Sequence, residues 1–257
     1  MPNKLHGTLL ARDQWQDNLR MRYRLRPIGL CSHCDGCRAV FSADHGLSCK
    51  KEGLVTIRHD DTRNEAGALA ALTLTPGRIS YKLMINYGRD LSAAMPNAPQ
   101  ATGSVAWEEA RGDVLVHGLW ERGSGCVLDT RVTDTDAKSY QKFFLTKVLE
   151  KAARQKKGKY IAACLARRQN FVPLVYSVDG MACKEAKAFE KRIAPLLATK
   201  WDRSHIEMTG HVRKRMGLAI IMSNTMLLPG ARSKWREVPE LEDAAGYEAV
   251  QERHLKW

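Results

Sequence analysis

The chain has 257 residues, 44% hydrophobic and 27% charged, which is room for one sizeable domain or a core with a small satellite module. No stretch approaches the roughly 20 consecutive apolar residues that cross a bilayer, which excludes a membrane-spanning helix, and the N-terminus has no apolar run of the kind that predicts a secretory leader. Lys and Arg outnumber Asp and Glu by 41 to 28, a net charge of +13 that suits a polyanionic partner or a basic enzyme.

In chain order, Leu9 to Arg26 is rich in Arg and spaces Leu10, Trp15, Leu19, Tyr23 and Leu25 as a short amphipathic basic helix would, with Pro27 and Gly29 closing it. A compact Cys/His cluster follows from Cys31 to Cys49. Leu54 to Leu72 reads as a helix that runs through Arg58-His59-Asp60-Asp61 into an Ala-rich stretch, and Pro76-Gly77 breaks it. Arg78 to Asn86 alternates like a strand, and residues 90–108, with Pro96, Pro99 and Gly103, are predicted as a long loop. Asp113 to Trp120 and Cys126 to Thr133 are strands joined by the Gly-rich turn Glu121 to Gly125, a hairpin pattern. A basic helix is predicted from about Ser139 to Gln169, with Gly158 as its weak point, and then a strand from Phe171 to Val178. Pro173 inside that strand predicts an edge position or a bulge. Asp179-Gly180 turns the chain into helices near Ala182–Thr199 and Ile206–Leu227, and the tail from Arg232 is polar. The expected fold is α/β, a small mixed sheet flanked by helices. Residues 1–30 form the basic helical segment, 31–53 the Cys/His module, 54–230 the main domain and 231–257 the tail.

Seven cysteines without a leader predict a reducing compartment, where thiols serve metals or cores. Cys34-x2-Cys37-x7-His45-x3-Cys49 has zinc-knuckle spacing. A CxxC turn presents two thiolates to one tetrahedral ion, and a downstream His and Cys close a structural, four-ligand shell. Zinc would stand in for a core that some twenty residues cannot build. Cys31-x2-Cys34 is an alternative pair, which leaves Cys31 or Cys37 open as the ligand. The plainer alternative is a set of buried free thiols with a satisfied histidine.

The chemistry is sought in Gly112-Asp113 and Leu128-Asp129-Thr130-Arg131 on the two hairpin strands. Acidic side chains from adjacent strands can share one magnesium ion, which polarises a phosphodiester and activates water. Asp129 and Arg131 are two apart and point to one face, the geometry of a D-x-K triad with Arg in the last place. Arg stays protonated, so it neutralises phosphate charge but cannot take a proton from water. A lysine would come from the next helix, where Lys151, Lys156, Lys157 and Lys159 lie near Tyr160. The plainer readings are a turn carboxylate and a solvated charge run. Arg58-His59-Asp60 suits a phosphate or a helix cap, and Trp15, Trp107 and Trp120 suit base stacking or core packing.

The ordered set of knuckle, Arg58-His59-Asp60, Asp113, Asp129 and a Lys/Tyr helix resembles the C-terminal region of site-specific non-LTR retrotransposon proteins, whose nuclease is of the restriction-enzyme, PD-(D/E)XK type. The strings ARGDVLVHGLWERG, DTRVTDTDAKSY and FVPLVYSVDG, and the stretch around Leu228 to Trp235, carry it across residues 15–236. The resemblance implies a restriction-endonuclease-like fold and a magnesium-dependent DNA endonuclease that nicks target DNA to prime reverse transcription. It implies that Asp113 and Asp129 hold magnesium and that Lys157, three residues before Tyr160, serves near the scissile phosphate, with Lys159 as its rival; Arg131 and Tyr160 complete the expected catalytic set. Arg58, His59, Lys156 and Lys159 would touch DNA or element RNA, and the zinc knuckle would help engage it. The alternative is a catalytically inactive nucleic-acid-binding remnant of such an element.

Three departures stand beside this resemblance. Gly112 occupies the place of the family's usual Pro, and Gly158 sits beside the expected lysine. The chain also lacks a Tyr/Phe-x-Asp-Asp signature and the length for a polymerase, so it is not expected to reverse-transcribe alone. A nuclear location fits the Arg/Lys runs, and a cytoplasmic one is the alternative.

Overall fold

The computed structural model describes residues 10–84, 111–137 and 139–228. The loop expected at 90–108, Trp107 and the tail from Arg232 lie outside these residues. The chain runs α1 (Arg12–Arg22), α2 (Ala43–Ser48), α3 (Leu54–Thr73), β1 (Ile79–Met84), β2 (Arg111–His117), β3 (Gly125–Thr133), α4 (Leu145–Ala166), β4 (Gln169–Ser177), α5 (Lys184–Trp201) and α6 (His205–Leu227). No helix among the described residues is long and apolar enough to cross a membrane.

The four strands form one mixed sheet in the order β1-β2-β3-β4. β1, β2 and β3 are an antiparallel meander, and β4 pairs parallel to β3 after the α4 crossover. Pro173 is tolerated because β4 is an edge strand and needs ladder bonds on one flank only. β3 is buried along nearly its whole length because helices cover both faces of the sheet. Val114, Val116, Cys126, Leu128, Leu174 and Tyr176 join the main core with α3, α5 and α6. On the other face Leu115, Val127 and Phe171 pack against Tyr160 and Cys164 of α4.

Of the boundaries that differ from the sequence expectation, two have a visible local cause. β2 stops at His117, not Trp120, because Gly118 takes a left-handed conformation (φ +79°) and opens the turn early. α4 begins at Leu145, not near Ser139, since the amides of Tyr140 and Phe143 close successive turns on Ala137 and Tyr140 before Phe144 caps the helix in extended conformation. The helix then runs straight through Gly158, whose missing side chain faces open space.

Candidate metal centre and carboxylate cleft

The ligand atoms of Cys34, Cys37, His45 and Cys49 all lie within 4.8 Å of one another, a group that could hold a metal ion such as zinc. A turn closed by Arg38 N–H on the Cys34 carbonyl (2.8 Å) brings Cys34 and Cys37 together. Ser42 caps α2 by accepting the His45 amide at 3.1 Å, and that short helix delivers His45 and then Cys49. Cys37 Sγ is 3.2 Å from His45 Nε2, and Cys34 Sγ and Cys49 Sγ are 3.9 Å apart. Burial works against ionisation of the Cys34 thiol, but the amides of Cys37 and Gly36 and the His45 ring outweigh it and bring the thiol down to about 6. The geometry resolves the ligand choice in favour of Cys37, while Cys31 packs half-buried against the cluster.

The knuckle is docked on the main domain. A Cβ on Gly46 would meet the Leu227 carbonyl and the Phe41 ring at 2.8 Å, so only glycine lets α2 approach α6 this closely. Leu47 packs with Val178 and Leu227. Arg58, expected on nucleic acid, is 3% exposed and turned inward, which corrects that expectation. Its guanidinium donates to the Leu47 carbonyl at 3.0 Å and to Asn224 Oδ1 at 3.2 Å, and Asn224 Nδ2 donates to the Val178 carbonyl at 2.6 Å. Burial lowers its pKa to about 10, partly opposed by Asp134. One cation thus ties the knuckle, α3, α6 and the end of β4 together.

On the sheet, the last paired residues of β2 and β3 are Val114 and Leu128, and one step further the same register sets Asp113 opposite Asp129. The strands part there, and the Asp113 side chain takes the place of the ladder. Its Oδ2 accepts the Thr130 amide at 2.6 Å and the Thr130 hydroxyl at 2.7 Å, with His59 Nε2 at 3.0 Å. His59 reaches in from α3, expected on nucleic acid but placed on this carboxylate. Its Nδ1 is 3.2 Å from Asp60 Oδ1, which Arg63 holds at 2.7 Å. Burial pushes the Asp113 carboxyl up, but His59 and Thr130 prevail and hold it below the ordinary value. The hydrogen bond to Asp113 raises the His59 pKa against its burial.

Asp129 points to the α4 side of β3, its side chain 3% exposed, with Lys156 Nζ 2.7 Å from Oδ2. Burial raises its pKa to about 6; Asp113 adds to this and Lys156 opposes it. Lys157, expected as the amine at the scissile phosphate, instead meets Glu185 at 2.6 Å. Adjacent helical residues are about 100° apart, so one of the two lysines faces the cleft and the other faces α5. Tyr160 is buried against Phe171, ring centroids 5.6 Å apart, and lies beneath Lys156 and Lys159, whose ammonium groups are 5.7 and 5.4 Å from its ring. It lies under the lysines, within the α4-side core. Arg131 shares the Asp129 face and donates to Gln155 Oε1 at 3.1 Å.

The structure therefore brings together Asp113, Asp129, Lys156 and His59. Thr130 was missed by sequence reasoning because strand alternation assigns it to the opposite face, and only the parting of β2 from β3 exposes its amide. No protein-family model matches this sequence, and no curated protein matches it either.

Proposed function

We propose that the protein is a metal-dependent DNA endonuclease of restriction-enzyme-like fold, which nicks one strand by hydrolysing a phosphodiester as the nicking domain of a retrotransposon-type protein does in target-primed reverse transcription. The observation that carries this reading is the Lys156 amine on Asp129 at the point where β2 and β3 part and the register sets Asp113 opposite. The four-stranded mixed sheet flanked by helices accords with such a fold.

The donor set fits magnesium. Asp113 and Asp129 occupy opposed positions where the strands part and interact electrostatically, Asp113 held by His59 and Thr130 and Asp129 by Lys156. Burial leaves Asp129 short of compensating charge, which a cation would supply. A pair suits magnesium better than a closed cage, since this ion keeps waters and takes one or two carboxylates plus phosphate oxygens. Asp113 and Asp129 would hold it, and when bound it supplies polarisation of the phosphodiester and a more acidic water. Lys156, paired with Asp129, places a positive charge that would neutralise charge building on the attacked phosphate. His59 and Thr130 keep Asp113 ionised and oriented, and the zinc knuckle braces the domain that carries them.

One observation favours a binding module without cleavage: Asp113 Oδ2 already receives His59 and two Thr130 donors. Incubating the purified protein with supercoiled plasmid decides between the two. Nicking is expected only when magnesium is added, and the nick is expected to be extended directly by a DNA polymerase because hydrolysis leaves a 3′ hydroxyl. Salt-sensitive binding with no nicked product at any magnesium concentration supports the binding module instead.

A further inference from the structure

At the turn end of the β2–β3 hairpin lies a recess of about 890 Å³, bordered by the end of α3 and by α5. Arg78, Arg122 and Arg192 line it together with Trp120, and among the described residues no carboxylate does. Two of the arginines are built in. Arg192 Nε donates to the Leu119 carbonyl at 2.7 Å, and Arg78 lies so close to Gly118 that a Cβ there would meet its Nη1 at 2.9 Å. Among the described residues none of the three forms an ion pair with an acidic side chain. Lys200, which donates to the Leu72 carbonyl at 2.7 Å, adds a fourth positive charge beside the end of α3.

We infer that this recess is a second nucleic-acid site, which holds a backbone phosphate of a single strand between the three arginines and stacks an unpaired base on Trp120. Arg recognises phosphate through a planar fork of donors, and three such forks without acidic partners leave an excess of donors that water alone fills. Trp120 is half-buried, so the core fixes its ring while the recess keeps access to it. Unpaired bases stack on such rings, whereas bases within a duplex are already stacked on one another. The volume matches that of sites for small organic ligands. Along β2 the recess is about 17 Å from Asp113, so a strand seated here is outside the carboxylate cleft. The choice of nucleic acid over another polyanion rests on the nuclease reading.

The test uses the full chain carrying Asp129→Asn, in magnesium-free buffer without chelator, so that neither cleavage nor zinc loss enters. Fluorescence anisotropy is read on oligo(dT) and oligo(rU) dodecamers, on an abasic dodecamer and on a duplex of the same length. Arg78→Gln and Arg122→Gln are each expected to weaken single-strand binding about 3- to 10-fold and to reduce the salt slope by about one. Trp120→Ala is expected to weaken the base-bearing strands but not the abasic one, which also shows that the variant is folded. Single-strand affinities within twofold of the parent, or an equal loss on the duplex, overturn the inference. Plasmid nicking by the otherwise unaltered chain is scored separately. Loss of the recess effect with nicking intact removes this site alone, and absence of nicking with the recess effect intact removes the nuclease reading alone.

Discussion

Lys156 lies 2.7 Å from Asp129, while its neighbour Lys157 turns away to Glu185. The two lysines are chemically identical and differ only in helical phase, so substituting each in turn separates position from charge. Lys156→Met is expected to lower the single-turnover nicking rate by about 10²-fold, the scale seen when one donor to a developing negative charge is lost. Lys157→Met is expected to leave that rate within a few-fold, because its partner is Glu185 on α5. Equal losses in both variants would place the effect in general DNA affinity.

Asp129 links the cleft to stability. Its folded carboxyl titrates near 6, above the ordinary value of 3.8, because burial disfavours the charge. A raised carboxyl binds its proton more tightly in the folded state. That favours folding below the ordinary value and is lost as pH rises through the folded one. Ionised Asp129 therefore costs stability near neutral pH. Asp129→Asn is expected to raise the unfolding free energy by about 1–3 kcal/mol around pH 7 without magnesium, and to confer little gain around pH 4. Urea unfolding at the two pH values measures the difference, and a variant less stable than the parent at neutral pH would contradict it.

The Arg58 contacts to Leu47 and Asn224 make the knuckle part of the domain. Arg58→Met leaves two buried acceptors without a donor and is expected to cost about 2–4 kcal/mol in urea unfolding. If Arg58 served nucleic acid instead, the same change would weaken DNA binding and leave stability alone.

Zinc removal is expected to act along the same route. Chelation should lower the melting temperature of the whole domain, since α2 packs on α6 through Gly46 and Leu47. Cys34→Ser should abolish zinc retention by elemental analysis, whereas Cys31→Ser should retain about one ion per chain. Zinc binds the thiolates and competes with protons for them, so zinc release is expected on acidification. A melting temperature unmoved by chelation would show that the knuckle hangs free of the domain.

Much of the fold was legible in the sequence. β3 and α3 follow the expected runs because alternation and turn residues mark their ends, and of the edge position or bulge that Pro173 predicted for β4 the sheet order shows the edge. The knuckle ligands were legible apart from Cys31 against Cys37, which spacing cannot separate because both pairs with Cys34 are CxxC. The site was legible only as residue types. Which lysine faces Asp129 depends on the phase of α4, which begins later than the basic run suggests. The inward turn of Arg58 and the Thr130 amide depend on tertiary packing, which local sequence does not record.

The most direct measurement is the rate at which supercoiled plasmid becomes open circle in magnesium, compared for the parent chain and Asp129→Asn. That substitution keeps the shape of the buried side chain and removes its charge. Conversion by the parent, with a loss of at least about 10²-fold in the variant, is the expected result. Equal conversion by both proteins would show that the cleft between β2 and β3 is not where the phosphodiester is broken.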